Sequence, residues 1–148
     1  MTVLAAIDDI ERSTTVVEIA HDLAEAYDDT LVALHVVPEA EFQEHRESIR
    51  QIPEFEDYSI EQEQGSAAEF ATKFVRNVVD DLDQNRFEAR GRIGDVTDEI
   101  LAEADRLDPR YLVISGRRRS PTGKAVFGNT TQQILLNAEC PVVTRLES

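Results

Sequence analysis

Basic side chains are scarce in this chain. Thirty Asp and Glu face 15 Lys and Arg, the formal net charge is -15, and Lys73 and Lys124 are the only lysines. Such a surface repels a polyanion except at a local basic patch, so general nucleic-acid binding is not expected. An acidic, lysine-poor surface also points to adaptation to high salt, where self-repulsion is screened. Cysteine is nearly absent: Cys140 alone allows neither an intrachain disulfide nor a Cys-based metal cluster, and a reducing, cytoplasmic setting is expected. Standing before Pro141 at a strand entrance, its thiol reads as packed and inert. No apolar run approaches the roughly 18–20 residues that span a bilayer. The start, MTVLAAIDD, has neither the basic opening nor the long apolar stretch of a signal peptide, so no membrane partner is expected. His21 and His45 lie in polar surroundings without ligand spacing, and His35, inside an apolar strand, reads as a hydrogen-bonded core residue. No metal site is expected from the protein's own residues.

What is present is enough for one compact domain, 1–148, because 148 residues of 41% hydrophobic content bury a core without disulfide or metal. VLAAI (Val3 to Ile7) is a short continuous apolar run ending at Asp8-Asp9, which reads as a strand buried on both faces. Val16, Val17, Ile19, Ala20, Leu23, Ala24 and Tyr27 recur at helical spacing behind Ser13, Thr14 and Thr15 as candidate N-caps. TLVALHVV is β-rich and stops at Pro38. Residues 39 to 65 are polar and mostly acidic, and read as an irregular or partly helical excursion. At Ser66-Ala-Ala-Glu69 a capping box opens a helix with the apolar stripe Ala67, Phe70, Ala71, Phe74, Val75, Val78, Val79 and Leu82.

RFEARGRIG alternates as a strand exposed on one face does, at a sheet edge. Asp95 caps the following helix, and Asp108-Pro109 closes it before the buried strand YLVIS. A short helix with Thr131, Ile134, Leu135 and Ala138 precedes a last strand, PVVTRL. Strands alternating with helices call for an α/β fold: a three-layer sandwich with a five-stranded parallel sheet and right-handed crossovers. Ligands bind such sheets beyond the carboxyl ends of the strands, where strand order reverses.

Positive charge gathers in one place, SGRRRSPTGKAVFGNTT, from Ser115 to Thr131. Gly128 allows close backbone approach, and the helix opening at Asn129 and Thr130 offers unpaired N–H groups to an anion. Arg117, Arg118 and Arg119 add guanidinium donors suited to phosphate, and Lys124 a point charge. The plainer reading is an exposed loop that balances nearby carboxylates. The stretch is not a Walker A loop, since six residues separate Gly116 from Gly123 and Ala125 follows Lys124. No G-x-G-x-x-G follows the first strand, which disfavours a dinucleotide-binding oxidoreductase. No nucleophile, base and orienting group stand together, so binding is expected rather than turnover.

VLAAID, LHVV, IGDVTDEILAEA, YLVISG and LLNAECPVVTRL follow one another in the order, and with the strand-end Asp and late glycine loop, of the universal stress protein family, which this chain resembles over nearly its whole length. The resemblance implies a Rossmann-like, adenine nucleotide alpha hydrolase-like fold of strand order 3-2-1-4-5, and an adenine nucleotide, ATP with or without Mg²⁺, as ligand of a stress sensor. It places Asp8 near ribose and adenine, Ala6 against the base, and the backbone of Val36 in hydrogen bonds to the base. Gly116, Gly128, Asn129 and Thr130 would surround ribose and phosphates, with Arg117 and Arg119 adding charge. It also implies a homodimer through the last strand, Pro141 to Leu146. ATP-binding members carry a loop of the form G-x-x-G-x9-G-[ST]. Here Arg119 stands at the second glycine, eight residues separate it from Gly128, Asn129 replaces Ser or Thr, and no Ser follows Asp9. A dimeric interaction module of the same fold that has lost nucleotide binding is the alternative.

Overall fold

The computed structural model describes residues 1–8, 10–50, 59–117 and 128–147. Its strands are β1 (Thr2–Ile7), β2 (Thr30–Pro38), β3 (Phe87–Gly94), β4 (Tyr111–Arg117) and β5 (Val142–Glu147), and its helices α1 (Ile10–Tyr27), α2 (Glu39–Arg50), α3 (Ile60–Val78), α4 (Val96–Leu107) and α5 (Asn129–Asn137). One short 3₁₀ turn, Gln84–Arg86, leads into β3. The strands form one parallel sheet in the order β3-β2-β1-β4-β5. β1 is central because its residues are apolar in both directions. Val3, Ala5 and Ile7 pack toward α1 and α3 with Val17, Ala20, Ala71 and Val75. Leu4 and Ala6 pack toward α4 and α5 with Ile100, Ala104 and Ile134. Burying one such aliphatic side chain is worth about 1.5–3 kcal/mol, so a strand with two apolar faces is driven to the middle of the sheet.

β3 and β5 are the edges; every residue of β3 keeps some exposure, so its burial does not alternate between faces as its sequence does. The Asp95 side chain accepts from the Asp98 N–H and starts α4, and Asp108, at φ 45°, ends it. Cys140 packs beside the α4 face of the core, where burial pushes its thiol up from the ordinary range. Among the described residues no helix is long and apolar enough to cross a membrane.

Two helix starts differ from the sequence reading. α1 begins at Ile10, so Ser13, Thr14 and Thr15 lie inside the helix rather than capping it. The Ser13 hydroxyl is committed instead to Asp8, accepting its N–H at 2.9 Å. α3 begins at Ile60, not at Ser66: the capping box is Ser59 with Gln62, each side chain bonded to the other's backbone N–H. The helix runs through Gly65 because the stripe below it supplies burial that outweighs a glycine cost of about 1 kcal/mol. The excursion after β2 thus contains a regular helix, α2, anchored by Phe42 against Val37, Ala67 and Ile93. Residues 51–58 lie outside the described residues.

Candidate functional site

Strand order reverses between β1 and β4, and the carboxyl ends of β1, β2 and β4 open there onto a cavity of about 410 Å³. Its floor is apolar: Ala6, Leu34, Val96, Ile100, Ile114 and Ile134. Its rim is polar, carrying Asp8, Arg12, Glu41, Ser115 and the start of α5 at Gly128, Asn129 and Thr130. The size and the small number of convergent polar groups suit a small-molecule site.

Asp8 leaves β1 at the reversal point, and its carboxylate is held from two elements. Ser13 of α1 donates to Oδ1 at 3.1 Å, and Ser115 of β4 donates to both oxygens at 3.3 and 3.1 Å. Thr131 of α5 in turn donates to the Ser115 carbonyl at 3.0 Å. The start of α5 is therefore tied to β4, and β4 to β1. His35, also lining the cavity, donates from Nδ1 to the Ile7 carbonyl at 3.0 Å, since a carbonyl only accepts, and its ring lies 4.6 Å from that of Phe70. β2 continues past its last pairing with β1, Ile7 with His35, so at Val36 only β3 accompanies it. Val36 lines the cavity just beyond that last pairing.

Gly128, the N-cap of α5, makes no side-chain cap, and among the described residues nothing lies within 4 Å of where a Cβ would stand there. The first-turn N–H groups, which an α-helix leaves unpaired within itself, and the positive end of the helix dipole thus adjoin the cavity. Of the residues singled out in the sequence, Ala6, Asp8, Val36, Gly128, Asn129 and Thr130 line this one cavity. Gly116 is not in its lining. A Cβ on Gly116 would come within 2.7 Å of Thr144 Oγ1 and 2.9 Å of Leu146 Cδ2, so the packing of β5 already requires a glycine. Arg119 lies outside the described residues, as do Asp9, Arg118, Gly123, Lys124 and the side chain of Arg117. Arg12, Ser13, Glu41 and Thr131 were not singled out as site residues in the sequence, where Ser13 read as a candidate helix cap. Thr131 read as part of an apolar stripe, and only its spacing from Gly128 hinted at the cavity. Among the described residues no group of three or more His, Cys, Asp or Glu side chains is placed to hold a metal ion.

The profile of the family described as "Universal stress protein family" matches residues 1–144. The chain belongs to the universal stress protein family. A universal stress protein of Mycolicibacterium smegmatis is 45% identical over 56 residues, which is 37% of this chain and 42% of that protein, so the match spans less than half of that relative. Among solved structures, a universal stress protein in complex with cAMP matches with a TM-score of 0.64 at 15% identity, covering 100% of this chain and 98% of the other. An Arabidopsis thaliana universal stress protein family member with AMP bound gives 0.58 at 20% identity, covering 100% and 92%. At these identities the likeness is one of fold.

Proposed function

We propose that this chain binds an adenine nucleotide, ATP or a close relative, in the cavity at the carboxyl ends of β1, β2 and β4, and acts as a nucleotide-responsive sensor. The observation that carries this is the Asp8 carboxylate, held by Ser13 and Ser115 at the point of strand-order reversal and sharing one cavity with the uncapped start of α5. The apolar floor suits a purine face, the carboxylate suits ribose hydroxyls, and the α5 N–H groups suit phosphate. The cAMP and AMP complexes of proteins sharing the fold support the same ligand class. Mg²⁺, where it takes part, would arrive on the phosphates. In this reading the protein is cytoplasmic, does not bind nucleic acid, and functions in high salt as a homodimer paired through Pro141 to Leu146, which would cover the β5 edge.

Calorimetry with ATP and AMP, each with and without Mg²⁺ in concentrated KCl, tests the ligand. Saturable binding is expected, and Gly128→Val should abolish it while leaving the fold intact, because among the described residues the added side chain meets no atom within 4 Å of its Cβ. Absence of saturable binding by the unmodified chain would leave the interaction module in its place.

A further inference from the structure

Tyr27, the last residue of α1, and Tyr111, the first of β4, meet at the amino-end side of the sheet, away from the cavity. Their hydroxyls are 3.2 Å apart and their ring centroids 5.8 Å, so the rings approach one another by their hydroxyl-bearing ends, which carry the ortho carbons. Arg110 holds the Tyr27 ring in place. Its guanidinium lies 4.3 Å from the ring centroid, its Nε donates to the buried Asp29 carboxylate at 2.7 Å, and its backbone N–H donates to the Thr2 carbonyl at 2.8 Å. Tyr27 is nevertheless 44% exposed, which leaves the pair open to reagents in solution.

The composition of the chain directs oxidation to this pair. Tryptophan is absent, and the oxidisable side chains are three tyrosines, one methionine and one cysteine. Methionine and cysteine take up oxygen on their sulfur. Burial keeps the Cys140 thiol protonated, the less reactive form. We propose that Tyr27 and Tyr111 form an oxidative cross-linking site, at which a one-electron oxidant of the haem-peroxidase class, supplied with hydrogen peroxide, joins the two rings as a dityrosine that fastens α1 to β4. Each phenol gives one electron and its O–H proton to the oxidant. The two ring radicals pair to form a bond between ortho carbons, and the two ortho hydrogens move as protons to the oxygens, which restores both phenols. One hydrogen peroxide takes up the two electrons and two protons and leaves as two waters. Because the partner ring is already in place, coupling within the chain outruns coupling between chains, which a net charge of -15 also keeps apart. The site is independent of the nucleotide reading, since neither ring lines the cavity.

Treating the full chain with a haem peroxidase and one equivalent of hydrogen peroxide tests the site. Dityrosine fluorescence should appear in a product that runs as a single chain on a denaturing gel, with two hydrogens lost and with the Tyr27 and Tyr111 peptides linked. Tyr58→Phe should keep that product, whereas Tyr27→Phe and Tyr111→Phe, each lacking one exposed hydroxyl, should lower it about tenfold or more. Fluorescence confined to cross-linked dimers, links that run through Tyr58, or Tyr27 and Tyr111 peptides oxidised without a link would each overturn the proposal. The bond closes a loop between positions 84 residues apart, so the linked chain should unfold at a higher urea concentration than the untreated one. An equal midpoint for the two would remove the fastening of α1 to β4.

Discussion

Ser115 donates one hydroxyl to both oxygens of the Asp8 carboxylate, at 3.1 and 3.3 Å, and so joins the ends of β4 and β1 across the reversal of strand order. The parallel ladder between these strands pairs Val3 to Ala5 with Tyr111 to Val113. Beyond it the two chain ends are held by side chains, and the serine sets where the carboxylate points.

Ser115→Ala should therefore do two things. It removes a hydrogen bond to a charged but solvent-accessible group, for a stability loss of about 1 kcal/mol. It also removes one of the two serines that orient the carboxylate, which should weaken nucleotide binding about tenfold, the equivalent of 1.4 kcal/mol. Urea denaturation and calorimetry on the same preparation separate the effects. Unchanged affinity would show that Ser115 serves the strands alone.

Two glycines that look alike in the sequence should respond in opposite directions. A Cβ on Gly91 would stand 2.1 Å from the Gln64 carbonyl oxygen and 2.8 Å from Ala67 Cβ, whereas one on Gly65, inside α3, would meet nothing within 4 Å among the described residues. Gly91→Ala must push α3 from β3 and should cost about 2 kcal/mol or more, in the range of overpacked cores. Gly65→Ala should add about 0.5–1 kcal/mol by favouring the helix. Thermal unfolding of the pair checks the signs, and a stabilised Gly91→Ala would contradict the tight α3–β3 contact.

Much of this architecture was legible because it is written in short-range pattern. The apolar runs VLAAI and YLVIS can only be buried on both faces, which makes β1 and β4 interior strands, and RFEARGRIG alternates as an edge strand does. Starts of helices were less legible, because Ser66 and Glu69 have capping-box spacing while Ser59 and Gln62 form the box. Spacing alone does not say which serine burial will extend a helix to. The site was half legible: Asp8, Gly128 and their neighbours follow from strand ends and a loop. Ser13 reaches five residues back to Asp8, and Thr131 sixteen residues back to Ser115, and neither contact leaves a periodic trace.

Glu103 predicts an acid response. It is fully buried on α4 and accepts from Arg90, Arg92 and Arg106 at 3.0, 3.0 and 2.6 Å. Burial pushes its carboxyl up, but the hydrogen bonds of Arg106 and Arg92 and the charges of Arg90 and Arg92 outweigh it and hold the pKa at about 2. A carboxyl lowered from 4.5 contributes stability that is complete above 4.5 and lost as pH falls toward about 2. The unmodified chain should lose stability across that window, and Glu103→Gln should be less stable near neutrality but flatter in acid. Because Arg90 and Arg106 are partly solvated, the neutral-pH cost should be about 2 kcal/mol, below that of a fully buried broken pair. Chemical denaturation at a series of pH values gives both quantities, and parallel curves for the two chains would mean that Glu103 does not carry the acid transition.

Salt separates this network from the rest of the surface. With 30 acidic and 15 basic residues, the folded chain carries a net repulsion that added salt relieves, since the screening length falls from about 10 Å at 0.1 M to about 3 Å at 1 M. The Glu103 cluster is partly shielded from solvent and is screened much less, so it continues to hold β3 to α4 at high salt. The melting temperature should therefore rise between 0.1 M and 1 M KCl, and rise by a similar increment in Glu103→Gln, because the gain comes from the surface. A melting temperature that is flat or falls with KCl would remove the high-salt reading. A rise confined to the unmodified chain would place the salt response in the Arg90, Arg92 and Arg106 cluster instead, which a long-range screening effect does not allow.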